Sequence, residues 1–361
     1  MDLLETLKQS QKMNVSGMMD EMTKTSEKLI KGYEVLQNIK DVEIATTPKE
    51  LVWQRDLVKL YHYKRETPAK CKIPVLVSLA MMNRHDVLDL QPDRSLMKKL
   101  LDEGLDIYIM DWGYPQKQHK YLTMEDYILD FMGGAVDFVR KSTKNNKIHK
   151  MGICMGGTFS AIYAAIFPEK LQSLSVYVTP FDFADQGSCM LYKWTKDINV
   201  DAMVDSLGII PADMLNAGFS SLKPSMDVAK YIGVMDMMQD EAKLMNFLRM
   251  EKWKADCPDL PGEMFRKYIK DLWQDNKLIK GELMIGKNKI DLKKITMPFL
   301  NIYATEDNII PNSSTIPVND FIGSKDKELY AFPGGHIGVF VGAKSQKELA
   351  PKVAKWVMEK S

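Results

Sequence analysis

Six residues near the middle of the chain, Gly152-Ile153-Cys154-Met155-Gly156-Gly157, leave little choice of local structure. An apolar run leads into them, a run of small residues follows, and Gly-x-Cys-x-Gly has the spacing of a nucleophile elbow. In that motif a strand ends in a sharp turn, the nucleophile sits at the apex, and a helix begins at once. The flanking glycines let the backbone pass close on both sides and tolerate strained dihedrals at the apex. Cysteine stands where serine is usual, which suggests attack on an acyl group by a thiolate.

The pattern around the elbow is that of a parallel sheet with helices on both faces. Leu51 to Trp53 and Leu57 to Tyr63 read as a leading hairpin. Strand-like runs follow at Ile73 to Leu79, Leu105 to Met110, Ile148 to Ile153 and Leu174 to Val178, separated by helical stretches at 93–103, 123–141 and 158–167. From Phe181 to Asp291 this alternation stops and Met, Trp and charged residues accumulate in helical stretches such as 236–249 and 263–277. It resumes at Pro298 to Tyr303 and Glu328 to Phe332, with a last helix over 345–360. The expected organisation is an N-terminal amphipathic helical segment over 1–45, a core formed by 46–180 and 292–361, and a helical cap inserted at 181–291.

Composition excludes several classes of function. Net charge is +1, so nothing broad draws the chain to nucleic acid or an anionic membrane. The N-terminal residues lack the basic and apolar regions of a signal peptide, and no apolar run approaches the roughly 20 residues that span a bilayer. Cys71, Cys154, Cys189 and Cys257 are scattered with no C-x-x-C pair, which argues against a disulfide framework or a zinc site and fits a reducing cytoplasm. No metal or resident cofactor is expected.

A thiol nucleophile needs a base, and the base needs an orienting group. Of the five histidines, His336 follows a late strand in the glycine-rich turn Gly334-Gly335-His336-Ile337-Gly338. His62 reads as a structural strand residue, His119 and His149 as surface residues, and His85 as a neighbour of the first core strand. The acid is sought among Asp307, Asp182 and Asp111, each just after a strand. Asp307 is favoured because Cys154, Asp307 and His336 then run in the order nucleophile, acid, histidine of the α/β-hydrolase fold. The oxyanion hole would use the backbone N–H of Met155 and a second N–H from the loop Ala80 to Asn83, at Met82. The other three cysteines are expected to be small buried hydrophobes.

These residues resemble a known family, the poly(3-hydroxyalkanoate) synthases. The likeness runs from about Val52 to the C-terminus and rests on the elbow, Asn83 to Leu90 (NRHDVLDL), Asp111-Trp112-Gly113, Glu306 to Pro311 (EDNIIP) and the turn around His336. His85-Asp86 departs from the family's aromatic or proline-containing pair, so neither residue is given a role. The resemblance implies that Cys154 takes a 3-hydroxyacyl group from coenzyme A (CoA) as a thioester and that His336 activates it. It implies that Asp307 either orients His336 or helps deprotonate the attacking 3-hydroxyl group. The expected substrates are short-chain 3-hydroxyacyl-CoA thioesters, chiefly 3-hydroxybutyryl-CoA, with CoA as product rather than cofactor.

The shortness of the chain and the stretch Phe247 to Trp253 are similar to the synthases that work with a separate small, non-catalytic subunit. Methionine after Cys154 is most like the Bacillus-type enzymes, with a PhaR-type partner; a PhaE-type partner is the close alternative. A homodimer and attachment to cytoplasmic polymer granules are further expectations. Two rivals remain: a cysteine-based hydrolase such as a dienelactone-hydrolase-like enzyme, and a granule-surface protein without activity.

Overall fold

The computed structural model describes residues 41–184, 190–221 and 240–361, with isolated positions before and between them. Most of the expected helical segment over 1–45, Cys189 and parts of the insertion therefore lie outside the described residues.

Eight strands form one sheet: β1 (Lys49–Arg55), β2 (Val58–Tyr63), β3 (Val75–Ser78), β4 (Ile107–Asp111), β5 (Ile148–Ile153), β6 (Leu171–Tyr177), β7 (Phe299–Ala304) and β8 (Lys327–Phe332). Their spatial order is β1-β2-β4-β3-β5-β6-β7-β8. β1 and β2 pair antiparallel, β2 meets β4 antiparallel, and every later pairing is parallel. β3 and β5 are buried along their whole length, because parallel strands are covered on both faces and carry nearly continuous apolar runs. The edge strand β8 alternates exposed and half-buried residues until Phe332.

The helices start where capping chemistry lets them. The helix expected from Asp93 begins only at Leu96, as α1 (Leu96–Glu103), because Ser95 is its N-cap and accepts the Lys98 N–H. It stops at Gly104, whose φ of 106° only glycine adopts without strain and whose N–H returns to the last turn. A further helical stretch runs through Asp126–Met132 into α2 (Gly133–Thr143), and α3 (Met155–Ile166) follows the elbow.

Between Tyr177 and Phe299 the chain leaves the sheet. Its helices there are α4 (Met190–Asp197), α5 (Val200–Leu207), α6 (Ala212–Ser221), α7 (Glu241–Ala255) and α8 (Gly262–Lys267), the last continuing through Gln274. A short antiparallel pairing of Ile209–Ile210 with Leu260–Pro261 ties this region together. Arg266 of α8 bridges Asp201 and Asp205 of α5, and these exposed pairs add little energy individually. α9 (Ala350–Glu359) closes the fold and packs on α1. By contacts the chain divides into two units, Ile44–Leu222 with Trp253–Ser361, and Met1–Glu43 with Lys223–Lys252. In the second unit, Lys252 and Arg249 donate to the Val42 and Glu43 carbonyls. No helix among the described residues is long and apolar enough to cross a membrane.

One histidine differs from its sequence reading. His149, expected at the surface, is buried in β5 at 1% exposure, because β5 is a central strand and its neighbours bury even its polar residues. Its Nδ1 lies 2.7 Å from the Ser173 hydroxyl, and burial lowers its pKa to about 4. His85 is likewise held near 4, by burial and then by the Lys49 ammonium. Both imidazoles are neutral when folded and protonate near 6.5 when unfolded, so the unfolded chain binds more protons between those values. Stability should therefore fall as pH drops from about 6.5 to about 4. In His149→Gln the slope measured by urea titration should be shallower by close to one proton.

Candidate active site

β5 delivers Cys154 to the carboxyl edge of the sheet, where α/β folds carry their ligand and catalytic groups. Cys154 has φ 52° and ψ −127°, a conformation that side chains other than glycine rarely adopt. The strain is over-determined by its surroundings. The Cys154 N–H donates to the Tyr177 carbonyl at 2.9 Å, and its own carbonyl accepts from Gly157 N–H at 2.8 Å. α3 begins immediately, at Met155, three residues before the position that hydropathy suggested.

The three glycines of the box are required by space. A Cβ on Gly152 would lie 2.6 Å from Gly157 Cα, and one on Gly156 would lie 2.5 Å from the Ser78 and Leu79 carbonyl oxygens. One on Gly157 would meet Thr179 Oγ1 at 2.0 Å. The contact at Gly156 also means that the loop leaving β3, which carries Met82, runs directly against the start of α3.

β7 and β8 are parallel neighbours in register, so the loops that leave them emerge side by side. The first carries Asp307 and the second His336. Thr305 N–H donates to Phe332 O and Glu306 N–H to Gly334 O, which sews the two loops together. Asp307 Oδ2 lies 2.7 Å from His336 Nδ1, while Asp307 Oδ1 accepts the N–H groups of Ile309 and Ile310, each at 2.9 Å. Both carboxylate oxygens are thus engaged inside the protein, and the side chain is 1% exposed.

Burial alone would lower the His336 pKa. The Asp307 charge and hydrogen bond, then the Cys154 sulfur on the other side, outweigh it and push it up to about 10. The structure therefore brings Cys154, His336 and Asp307 together. Asp111 and Asp182 are occupied elsewhere: Asp111 pairs with Arg84 through both oxygens, and Asp182 accepts from Asn276 Nδ2 at 2.8 Å.

Two features of the site carry no sequence signal. Beneath the elbow, Lys150 is fully buried and donates to Ser78 Oγ at 2.7 Å and to the Leu76 and Met151 carbonyls at 3.3 Å. Ser78 in turn meets Ser160 Oγ at 3.1 Å, and Ser160 donates to the Gly156 carbonyl at 2.6 Å. With no anion beside it, burial holds the lysine pKa well below its usual value. The second feature is Tyr268, a buried tyrosine that follows α8 and packs edge-on against Phe159 and Phe183. Burial, then the Cys154 charge, raises its pKa well above its usual value.

The remaining cysteines are not in the triad. Cys71 is buried near Ser361, while Cys257 is only partly buried and donates to the Met82 carbonyl. Among the described residues, no group of three or more His, Cys, Asp or Glu is placed to hold a metal ion.

A mostly parallel sheet whose elbow carries a nucleophile, with acid and histidine after the next-to-last and last strands, defines an enzyme of the α/β-hydrolase class. Residues 86–343 match the family described as alpha/beta hydrolase fold. Solved structures agree on the fold: a monoacylglycerol lipase from Paleococcus ferrophilus (TM-score 0.54, 15% identity, 84% of this chain and 99% of that one) and a meta-cleavage product hydrolase from Pseudomonas fluorescens (0.51, 15%, 89% and 100%).

Sequence relatives narrow the class. Residues 3–100 match the family described as Poly-beta-hydroxybutyrate polymerase (PhaC) N-terminus. The chain is 43% identical to the poly(3-hydroxyalkanoate) polymerase subunit PhaC of Synechocystis sp., over 93% of this chain and 91% of that one. It is 40% identical to the subunit of the same name from Allochromatium vinosum, over 94% and 96%. The chain belongs to the PhaC family of poly(3-hydroxyalkanoate) polymerases, which are acyltransferases.

The site's electrostatics can be read directly from His336. In histidine-detected NMR its imidazole should titrate near pH 10, and Asp307→Asn, which removes the largest charge favouring the imidazolium, should move that titration to lower pH. Gly157→Ala should destabilise the fold by about 1–3 kcal/mol in urea unfolding, since the added methyl overlaps Thr179.

Proposed function

We propose that this chain polymerises (R)-3-hydroxyacyl-CoA, chiefly 3-hydroxybutyryl-CoA, releasing CoA through a covalent thioester on Cys154. The observation that carries the reading is the single chain of contacts from Cys154 through His336 to Asp307.

With Nδ1 engaged by Asp307, His336 turns Nε2 to the Cys154 sulfur, and its raised pKa keeps on the imidazole the proton that it later delivers to CoA. The thiolate attacks the thioester carbonyl, and the oxyanion forms against the Met155 N–H and a donor from the loop at Met82. The carbon–sulfur bond to CoA breaks, CoA leaves with the proton returned by His336, and the acyl group remains on Cys154. The 3-hydroxyl of another hydroxyacyl thioester then attacks the Cys154 thioester carbonyl, its proton passing to His336; the ester bond of the polymer forms as the carbon–sulfur bond to Cys154 breaks, which restores the thiolate. Because both Asp307 oxygens are already engaged, the geometry favours Asp307 as the group that orients His336 over direct deprotonation of the substrate hydroxyl.

Exchange of one thioester for another is nearly isoenergetic, so the acyl group stays activated for the second transfer. Water must be kept from it, a task that suits the inserted helices as a cap. The cap must also open for substrate and for the polymer. The chain works at cytoplasmic polymer granules with a small non-catalytic subunit. Met155 favours a PhaR-type partner over a PhaE-type one.

The test mixes the full chain with each type of partner and 3-hydroxybutyryl-CoA, following CoA release and turbidity. The expected result is CoA release with polymer formation, stronger with the PhaR-type partner, and loss of both in Cys154→Ala. Free 3-hydroxybutyrate as the sole acyl product would identify a hydrolase, and polymer made at the normal rate by Cys154→Ala would overturn the mechanism.

A further inference from the structure

The loop from Leu79 to Arg84, between β3 and the turn at His85, has its backbone carbonyls held by side chains from elsewhere. Trp112 Nε1 donates to Leu79 O at 2.8 Å. The Cys257 thiol donates to Met82 O at 2.6 Å, and Trp253 Nε1 to Arg84 O at 2.8 Å. Two of these three donors come from one short stretch of the insertion, Trp253 to Cys257. The same stretch takes a further hold on the loop's surroundings. Tyr114 donates to Asp256 Oδ1 at 2.6 Å, and the Arg84 guanidinium lies 4.5 Å over the Tyr114 ring. Arg84 itself is pinned by its two-oxygen pairing with Asp111.

A trans peptide unit points its N–H opposite to its carbonyl. Fixing the Met82 carbonyl on Cys257 therefore anchors the residue whose own N–H is the expected donor and fixes the direction of the next one, Asn83 N–H, while fixing Arg84 O holds the far end of the loop. Nothing in the loop's sequence, Ala80-Met81-Met82-Asn83, would do this by itself: it has no proline, and its one polar side chain, Asn83, has a buried Oδ1 with no partner among the described residues. The loop's start abuts Gly156, two residues after Cys154.

We propose that Cys257 and Trp253 are positioning residues for the acyl transfer: as donors from the insertion, they set the peptide orientation of the loop that supplies the second oxyanion contact. The inference rests on the acyl-transfer reading above, and it gives the insertion a part in the chemistry beyond shielding. Donation, not thiol reactivity, is the property that matters. Burial and then the carboxylates of Asp259, Asp256 and Asp213 push the Cys257 pKa up to about 11, so the thiol keeps its proton at neutral pH.

The experiment measures single-turnover acylation of Cys154 by 3-hydroxybutyryl-CoA with intact-protein mass spectrometry, using the full chain and its partner subunit. Cys257→Ala removes the donor, Cys257→Ser keeps one, and Trp253→Phe keeps the ring while removing the N–H. Loss of an oxyanion donor costs about a hundred-fold or more in rate, and misdirecting one should cost on the order of ten-fold. Cys257→Ala and Trp253→Phe should each slow acylation by about ten-fold at unchanged KM, with Cys257→Ser within about two-fold of the parent. Iodoacetamide should alkylate Cys154 at the parent rate in all three, because the nucleophile and His336 are untouched.

Normal acylation in both Cys257→Ala and Trp253→Phe would overturn the proposal, as would a serine variant as slow as the alanine one. Slower alkylation in step with acylation would also overturn it, by revealing a general disturbance of the site. A parent protein that never acylates would instead refute the acyl-transfer reading itself.

Discussion

A cysteine backbone held at positive φ is unfavourable by about 1–3 kcal/mol, and much of the central fold is arranged so that Cys154 has no alternative. Its N–H is fixed to β6 and its carbonyl to the first turn of α3. The helix after it lies too close to the strand before it for a Cβ on Gly152, while the end of β3 and Thr179 leave no room for one on Gly156 or Gly157. The apex can then neither relax into the strand nor slide into the helix, and its sulfur stands clear of both. The strain is the means by which a side chain from a fully buried strand reaches solvent at the sheet's edge.

The other two members of the triad depend on that placement only through the sheet. β7 and β8 pair in parallel beside β6, so their exits lie on the same edge as the elbow, and backbone hydrogen bonds between the exits fix Asp307 against His336. Beneath the elbow the fold accepts a cost for the same geometry. Lys150 has lost its water and has no carboxylate to replace it, and it is satisfied only by two carbonyls and a serine. Through Ser78 and Ser160 that lysine joins the end of β3 to the first turn of α3.

Much of this was legible in the sequence. The glycine box, the strand pattern and the order Cys154, Asp307, His336 each reflect a local constraint that leaves a local signature. Asp307 could be preferred over Asp111 and Asp182 on order alone, and the structure gives those two other partners. What stayed hidden was decided by distant neighbours. His149 lies in a lysine-rich stretch and reads as surface, yet it and Lys150 belong to a central strand covered on both faces. Cys257 carried no motif, and Trp253, at the end of the stretch from Phe247, carried no sign of its role, because their partners, Met82 and Arg84, are 175 and 169 residues away in sequence. The start of α1 was misplaced by three residues, since a serine cap decided it and hydropathy did not.

The choice of cysteine over serine unites these observations. A serine acyl-enzyme would be an ordinary ester and would surrender much of the activation brought by a thioester, whereas a cysteine acyl-enzyme keeps it for transfer to a second alcohol. That advantage holds only if water reaches the intermediate more slowly than the next hydroxyl does. A fold used elsewhere for hydrolases can meet that condition by changing its cover while keeping its triad. On the proposed reading the insertion does more than cover, for it contributes donors to the loop at Met82. If the proposed roles hold, exclusion of water and orientation of the oxyanion contact reside in one segment, so a site open to water would also lose the donors that orient its oxyanion loop.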